Sequence, residues 1–238
     1  MVAGTLAKAG YFMGDHFSDP NPSNAKGFFE DHKVNYLNED LLGPVVPGRP
    51  SLLGRWFFKD RPVFGQRWMA CIPPQATLPE PTADVTARMQ ERLAHQPYCF
   101  KDPRFSYTLP LWEPHLNDTV YICVFRHPGE TANSMVKECH TAPYMQSLNM
   151  DYNKALQVWE AMCNRILTMA DQGGTWLFLH MQQVFTPEGL DRIATFTEAE
   201  VDRSFPEPEL KHSKTDQPTS PNIEDTYQEL CHKAHFSN

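Results

Sequence analysis

The chain has no CxxC pair among its six cysteines, no long apolar run and fewer positive than negative charges. Each absence removes a class of protein. Cys71, Cys99, Cys123, Cys139, Cys163 and Cys231 are scattered, which fits free thiols in a reducing compartment better than a disulfide framework. Cys231, His232 and His235 lack a second cluster to complete four ligands, so no metal is expected. No stretch approaches the roughly 18 apolar residues of a membrane span. No basic segment followed by an apolar one opens the chain as a signal peptide would, and a cytoplasmic location is expected. With 21 Lys and Arg against 29 Asp and Glu, the net charge of −8 argues against a nucleic-acid binder, whose affinity comes from neutralising phosphates. A pocket for one small anion needs only a few cations and survives this exclusion. Neither a GxxxxGK[ST] sequence nor a magnesium-binding carboxylate pair occurs, which argues against a phosphoryl-transfer enzyme.

What is present is enough for one buried core: 238 residues, 41% of them apolar, read as a single domain over 1–238. The 21 prolines forecast long irregular connections. Periodicity predicts helices at 2–9 (closed by Gly10), 33–42, 82–95, 129–137, 150–170, 187–196 and 223–234. Strands are predicted at 98–101, 119–125 and 176–179. The run TVYICVF at 119–125 reads as a strand buried on both faces. Residues 43–79 form an irregular insertion rich in Pro and aromatics, and 198–222 a polar C-terminal loop. Strands alternating with helices imply an α/β fold of three layers, a mostly parallel central sheet flanked by helices.

The sharpest motif follows the best strand. In an open parallel sheet, ligands bind beyond the carboxyl ends of strands, and Arg126 sits there. Ser134, eight residues on, falls about two turns into the next helix. A guanidinium and a hydroxyl so placed can grip one phosphate. The competing reading is a surface turn with Arg126 paired to a carboxylate.

Arg126-His127-Pro128 with Ser134 resembles the 3′-phosphate-binding motif of sulfotransferases that use 3′-phosphoadenosine 5′-phosphosulfate (PAPS). The resemblance implies that Arg126 and Ser134 bind the 3′-phosphate. Four more segments are similar to the bacterial branch of that family, in the expected order: Ala9-Gly10-Tyr11-Phe12-Met13-Gly14-Asp15, Asn24-Ala25-Lys26-Gly27-Phe28-Phe29-Glu30-Asp31, Lys101-Asp102-Pro103-Arg104 and Phe205-Pro206-Glu207-Pro208-Glu209-Leu210. The implied fold is the P-loop-like sulfotransferase fold with its first strand missing. The implied activity is sulfuryl transfer to a hydroxyl or amine of a small-molecule or carbohydrate acceptor, with no metal. Glu30 is the implied general base. It competes with a structural role, capping a helix or pairing with Lys26 or Lys33, and with contact to substrate; His32 is the second candidate base. Lys101 would stabilise charge on the sulfuryl group or the leaving phosphate. Asp102 and Arg104 read better as an internal ion pair, and Lys211 as a cation reaching the cofactor from the C-terminal loop.

The chain departs from the family in one large respect. The family opens on a buried strand and a loop resembling Arg-Ser-Gly-Thr-Ser that cradles the 5′-phosphosulfate. Nothing here matches it, and the register places Gly4-Thr5 inside the helix after that loop. The expectation is a misassigned start or a truncated gene, with the chain as written inactive and poorly soluble. The alternative function is therefore an inactive remnant that at most binds adenosine 3′,5′-bisphosphate. A smaller departure is Met181-Gln182-Gln183-Val184, where the family often has Tyr-Glu-Asp-Leu.

Overall fold

Two apolar runs, each too short for a helix of its own, become the sheet of this α/β protein. The computed structural model describes residues 1–17, 26–50, 54–142, 145, 148–207 and 217–237. The chain begins with α1 (Val2–Leu6), α2 (His32–Leu42), α3 (Gly54–Phe57), α4 (Ala83–Leu93) and α5 (Phe105–Trp112). It continues with β1 (Val120–Phe125), α6 (Pro128–Thr141), α7 (Tyr152–Gln172), β2 (Thr175–His180), α8 (Pro187–Thr197) and α9 (Pro221–Ala234). β1 and β2 pair in parallel, from Val120 opposite Thr175 to Phe125 opposite His180. A parallel pair needs a crossover, and α6 and α7 supply it.

Side-chain alternation sorts the helices into layers. Cys123, Phe125 and Phe178 pack into one cluster with Met135 of α6, Trp159 of α7 and Leu230 of α9. Leu177 and Leu179 turn the other way, into a second cluster with Leu6 of α1 and Ile193 of α8. A third cluster joins α2, α4 and α5 through Leu37, Met89 and Trp112. Helix starts follow local chemistry. Pro128 opens α6 while the His127 ring accepts from the Gly129 amide at 3.2 Å, and Asp151 caps α7 through the Lys154 amide at 2.9 Å. None of the described helices is long and apolar enough to cross a membrane.

Four expectations need correction. β1 is not buried on both faces, because Val120 and Val124 are 40% and 38% exposed. Among the described residues β1 pairs only with β2, and both valines line a cavity instead of a covering layer. The central sheet of the expected three-layer fold is therefore, among the described residues, a small open parallel sheet of two strands. The 98–101 segment forms a single parallel bridge, Tyr98 to Phe12, not a strand. Its partner segment is bounded by Gly10 at φ +85° and Gly14 at φ +122°, which leaves too little extended chain for a ladder. Finally, α5 was not anticipated. Pro110 inside it argues against a helix, and burial of Tyr107, Leu109, Leu111 and Trp112 overrides that local cost. The described residues of the 43–79 insertion are irregular apart from α3 and a 3-10 turn at Arg67–Met69, and the 223–234 helix begins two residues earlier, at Pro221.

Candidate functional site

The site is assembled by an irregular loop before α2. Phe29 adopts φ +52°, a left-handed conformation uncommon for a residue with a side chain, and its ring meets Phe205 edge-on at 5.5 Å. Asp31 precedes α2 and is buried, its Oδ1 accepting from the His16 amide at 3.3 Å and its Oδ2 lying 4.0 Å from Arg92. Gly14 lies directly against this loop: a Cβ there would stand 2.3 Å from that of Asp31. Asp15 follows, bonded to Lys33 at 3.1 Å and Arg92 at 3.3 Å. Lys33 first, and Arg92 after it, hold the Asp15 carboxyl below the usual range against some desolvation.

Held this way, Glu30 forms an ion pair with Lys101 and accepts a bond from the Asn35 side-chain Nδ2 at 3.3 Å. Lys26 bonds the Phe205 carbonyl and pairs with Glu207 at 2.7 Å. Phe205 fills the space left by Gly4, where a Cβ would fall 2.1 Å from its ring. Parts of the three other dispersed segments singled out in the sequence thus each touch the loop that carries Glu30. Their separation along the chain hid this contact.

Arg126 follows β1 directly, and Ser134 lies in the second turn of α6. Among the described residues Arg126 has no hydrogen-bond or ion-pair partner. Burial lowers its pKa from the ordinary value, and the charge of Glu130 works against that shift. Arg126, Ser134, Glu30, His32 and Lys101 all line one cavity of about 1270 Å³. Positive potential overlaps there. At the Met1 amino group, burial first and then the charges of Lys101, Arg126 and Lys26 lower the pKa to about 6. His32 begins α2 with its ring tilted 6.1 Å from that of Tyr36. Lys211 lies outside the described residues, as do Asn24, Ala25 and residues 208–210. Among the described residues no group of three or more His, Cys, Asp or Glu could hold a metal ion.

Asp102 and Arg104 form an internal ion pair at 2.8 Å, part of a network the sequence only hinted at. Arg104 also donates to Glu39 at 2.6 Å and to the Gly65 carbonyl at 2.5 Å, and Arg67 reaches the other oxygen of Glu39 at 3.0 Å. Asn38 donates to Asp102 at 2.9 Å and accepts from Thr108 and Trp112. Burial works against the Arg104 charge, but Asp102 and Glu39 outweigh it and leave its pKa raised. Burial raises the pKa of Asp102; Arg104 opposes the rise and Glu30 adds to it. Asn35 and Glu39 carried no signal in the sequence, since an Asn or Glu in an amphipathic helix reads as a solvated face. Lys26 could have been found from its place in the loop motif.

Comparison with family models, curated proteins and solved structures returns no match.

Proposed function

We propose that the cavity binds PAPS and that the chain transfers its sulfuryl group to a hydroxyl or amine of a small-molecule or carbohydrate acceptor. One observation carries this reading: a partly buried guanidinium at the carboxyl end of a parallel strand, with no hydrogen-bond or ion-pair partner among the described residues, opens onto a cavity it shares with a hydroxyl, a lysine and a carboxylate. Leaving such a charge unpaired is costly, and a phosphate would satisfy it with bidentate, charge-assisted bonds. The resemblance of the Arg126 to Ser134 motif names the phosphate as the 3′-phosphate of the nucleotide.

When bound, the phosphosulfate supplies a sulfuryl group that passes to the acceptor oxygen as its bond to the 5′-phosphate breaks. Arg126 and Ser134 hold the 3′-phosphate. Glu30 takes the acceptor proton, as a carboxylate within hydrogen-bond reach can, with Asn35 orienting it. Lys101 contributes positive charge where negative charge develops.

The deciding experiment is labelled-sulfate transfer from PAPS to a panel of acceptor hydroxyls. The 238-residue chain and a form extended upstream should be assayed side by side. Transfer that depends on Glu30 supports the reading, and its absence from both forms defeats it. A second reading, binding of adenosine 3′,5′-bisphosphate without turnover, is favoured by the ion pair that already engages Glu30. Calorimetric binding of the bisphosphate with no transfer in either form would establish it.

A further inference from the structure

We infer that the stretch running from Trp56, in α3, to Arg61 is a docking surface for an anionic lipid membrane. Trp56, Phe57, Phe58, Lys59, Asp60 and Arg61 are all exposed in succession, Trp56 and Phe57 each at 75%. Consecutive large aromatics in water are unfavourable, and a contiguous patch of this kind marks an interaction surface rather than chance exposure.

The stretch is held in place rather than loose. Arg49 donates to the carbonyls of Phe58 at 2.9 Å, Lys59 at 2.9 Å and Arg61 at 3.1 Å, while the Asn149 amide donates to the Lys59 carbonyl at 3.0 Å. The backbone is therefore tied from two directions while Trp56 and Phe57 remain largely in solvent. A surface already ordered gives up little conformational entropy on docking.

Charge selects the partner. Asp60 is the one carboxylate in the stretch, and Lys154 covers it at 2.6 Å. Lys59 has no side-chain partner among the described residues, and the Arg61 guanidinium rests over the Phe58 ring at 4.6 Å. The patch is locally cationic on a protein whose net charge is −8. Indole and phenyl rings flanked by Lys and Arg match the interfacial zone of a bilayer, where rings sit at the headgroup level and cations meet lipid phosphates. Phe64, also exposed, both meets the Tyr36 ring at 5.4 Å in a tilted contact and lines the large cavity, so docking would bring the cavity mouth to the lipid surface. None of this depends on sulfuryl transfer.

Flotation of the full chain with phosphatidylcholine vesicles, with and without phosphatidylserine, tests the inference. Wild type is expected to float with the anionic vesicles at least about tenfold more tightly than with neutral ones, since each cation near such a surface contributes about fivefold. Added salt should weaken the binding. Trp56→Ala/Phe57→Ala should abolish it, and Lys59→Gln/Arg61→Gln should remove the preference for anionic lipid. All four side chains are exposed, so thermal unfolding should be unchanged, and the Lys59→Gln single variant remains as a mild check. No flotation, equal flotation with both lipids, or unaltered binding by the aromatic variant would overturn the inference. So would a wild-type dimer that the aromatic variant disperses, which would assign the patch to a second copy of the chain.

Discussion

Arg104 and Arg126 are the same residue in opposite situations. Arg104 spends its donors on Glu39, Asp102 and the Gly65 carbonyl, and its charge is answered within the protein. Arg126 has none of these, although it too is drawn out of water. The first arrangement shapes a loop and is complete. The second lies open to the cavity, where on the proposed reading an anion from outside would complete it. Burial alone does not separate structural from functional cations; what separates them is whether the fold supplies the counter-charge.

That contrast can be broken by substitution. Arg104→Ala would leave Glu39 and Asp102 buried without their cation, and should cost about 3–5 kcal/mol in urea-induced unfolding, a large share of the roughly 5–15 kcal/mol that holds a typical domain folded. Arg104→Lys should rescue little, because a point charge cannot reproduce the fork. The next largest effect is on turnover: Glu30→Gln should slow sulfuryl transfer about 10²- to 10⁴-fold while binding of adenosine 3′,5′-bisphosphate is retained. An unchanged rate would pass the role to His32, which His32→Asn would then confirm or exclude. Arg126→Ala should weaken bisphosphate binding about 10- to 100-fold by calorimetry. Its unfolding free energy should stay within about 0.5 kcal/mol of wild type, the reverse of the Arg104 pattern. Ser134→Ala should weaken the same binding about 3- to 10-fold, as expected for one neutral hydrogen bond. If Arg126→Ala destabilised the fold and left binding intact, the contrast between the two arginines would be lost.

Much of the frame was legible because it is local. The TVYICVF and WLFL runs are strands, and α2, α4, α6, α7, α8 and α9 lie within a few residues of where apolar periodicity and capping residues put them. The pairing of Asp102 with Arg104 was readable from their closeness in the chain. Glu39 and Asn35 were not, for they look like solvent-facing helix positions until α2 is packed on α5 and the site loop. Helix α5 was hidden by Pro110, whose local preference is outweighed by the burial of four neighbours.

The order of residues alone determined which segments would be helix or strand, that Arg126 would stand at a strand end, and that Ser134 would lie two turns into the helix after it. Those facts rest on backbone geometry over a few residues. Tertiary structure decided which charges are answered. The Glu30–Lys101 and Glu39–Arg104 pairs each join residues more than sixty positions apart, while among the described residues Arg126 makes no hydrogen bond or ion pair and feels the charge of Glu130. Whether a charge is paired is a property of three-dimensional proximity in a medium of low polarity, and separation along the chain carries no record of it.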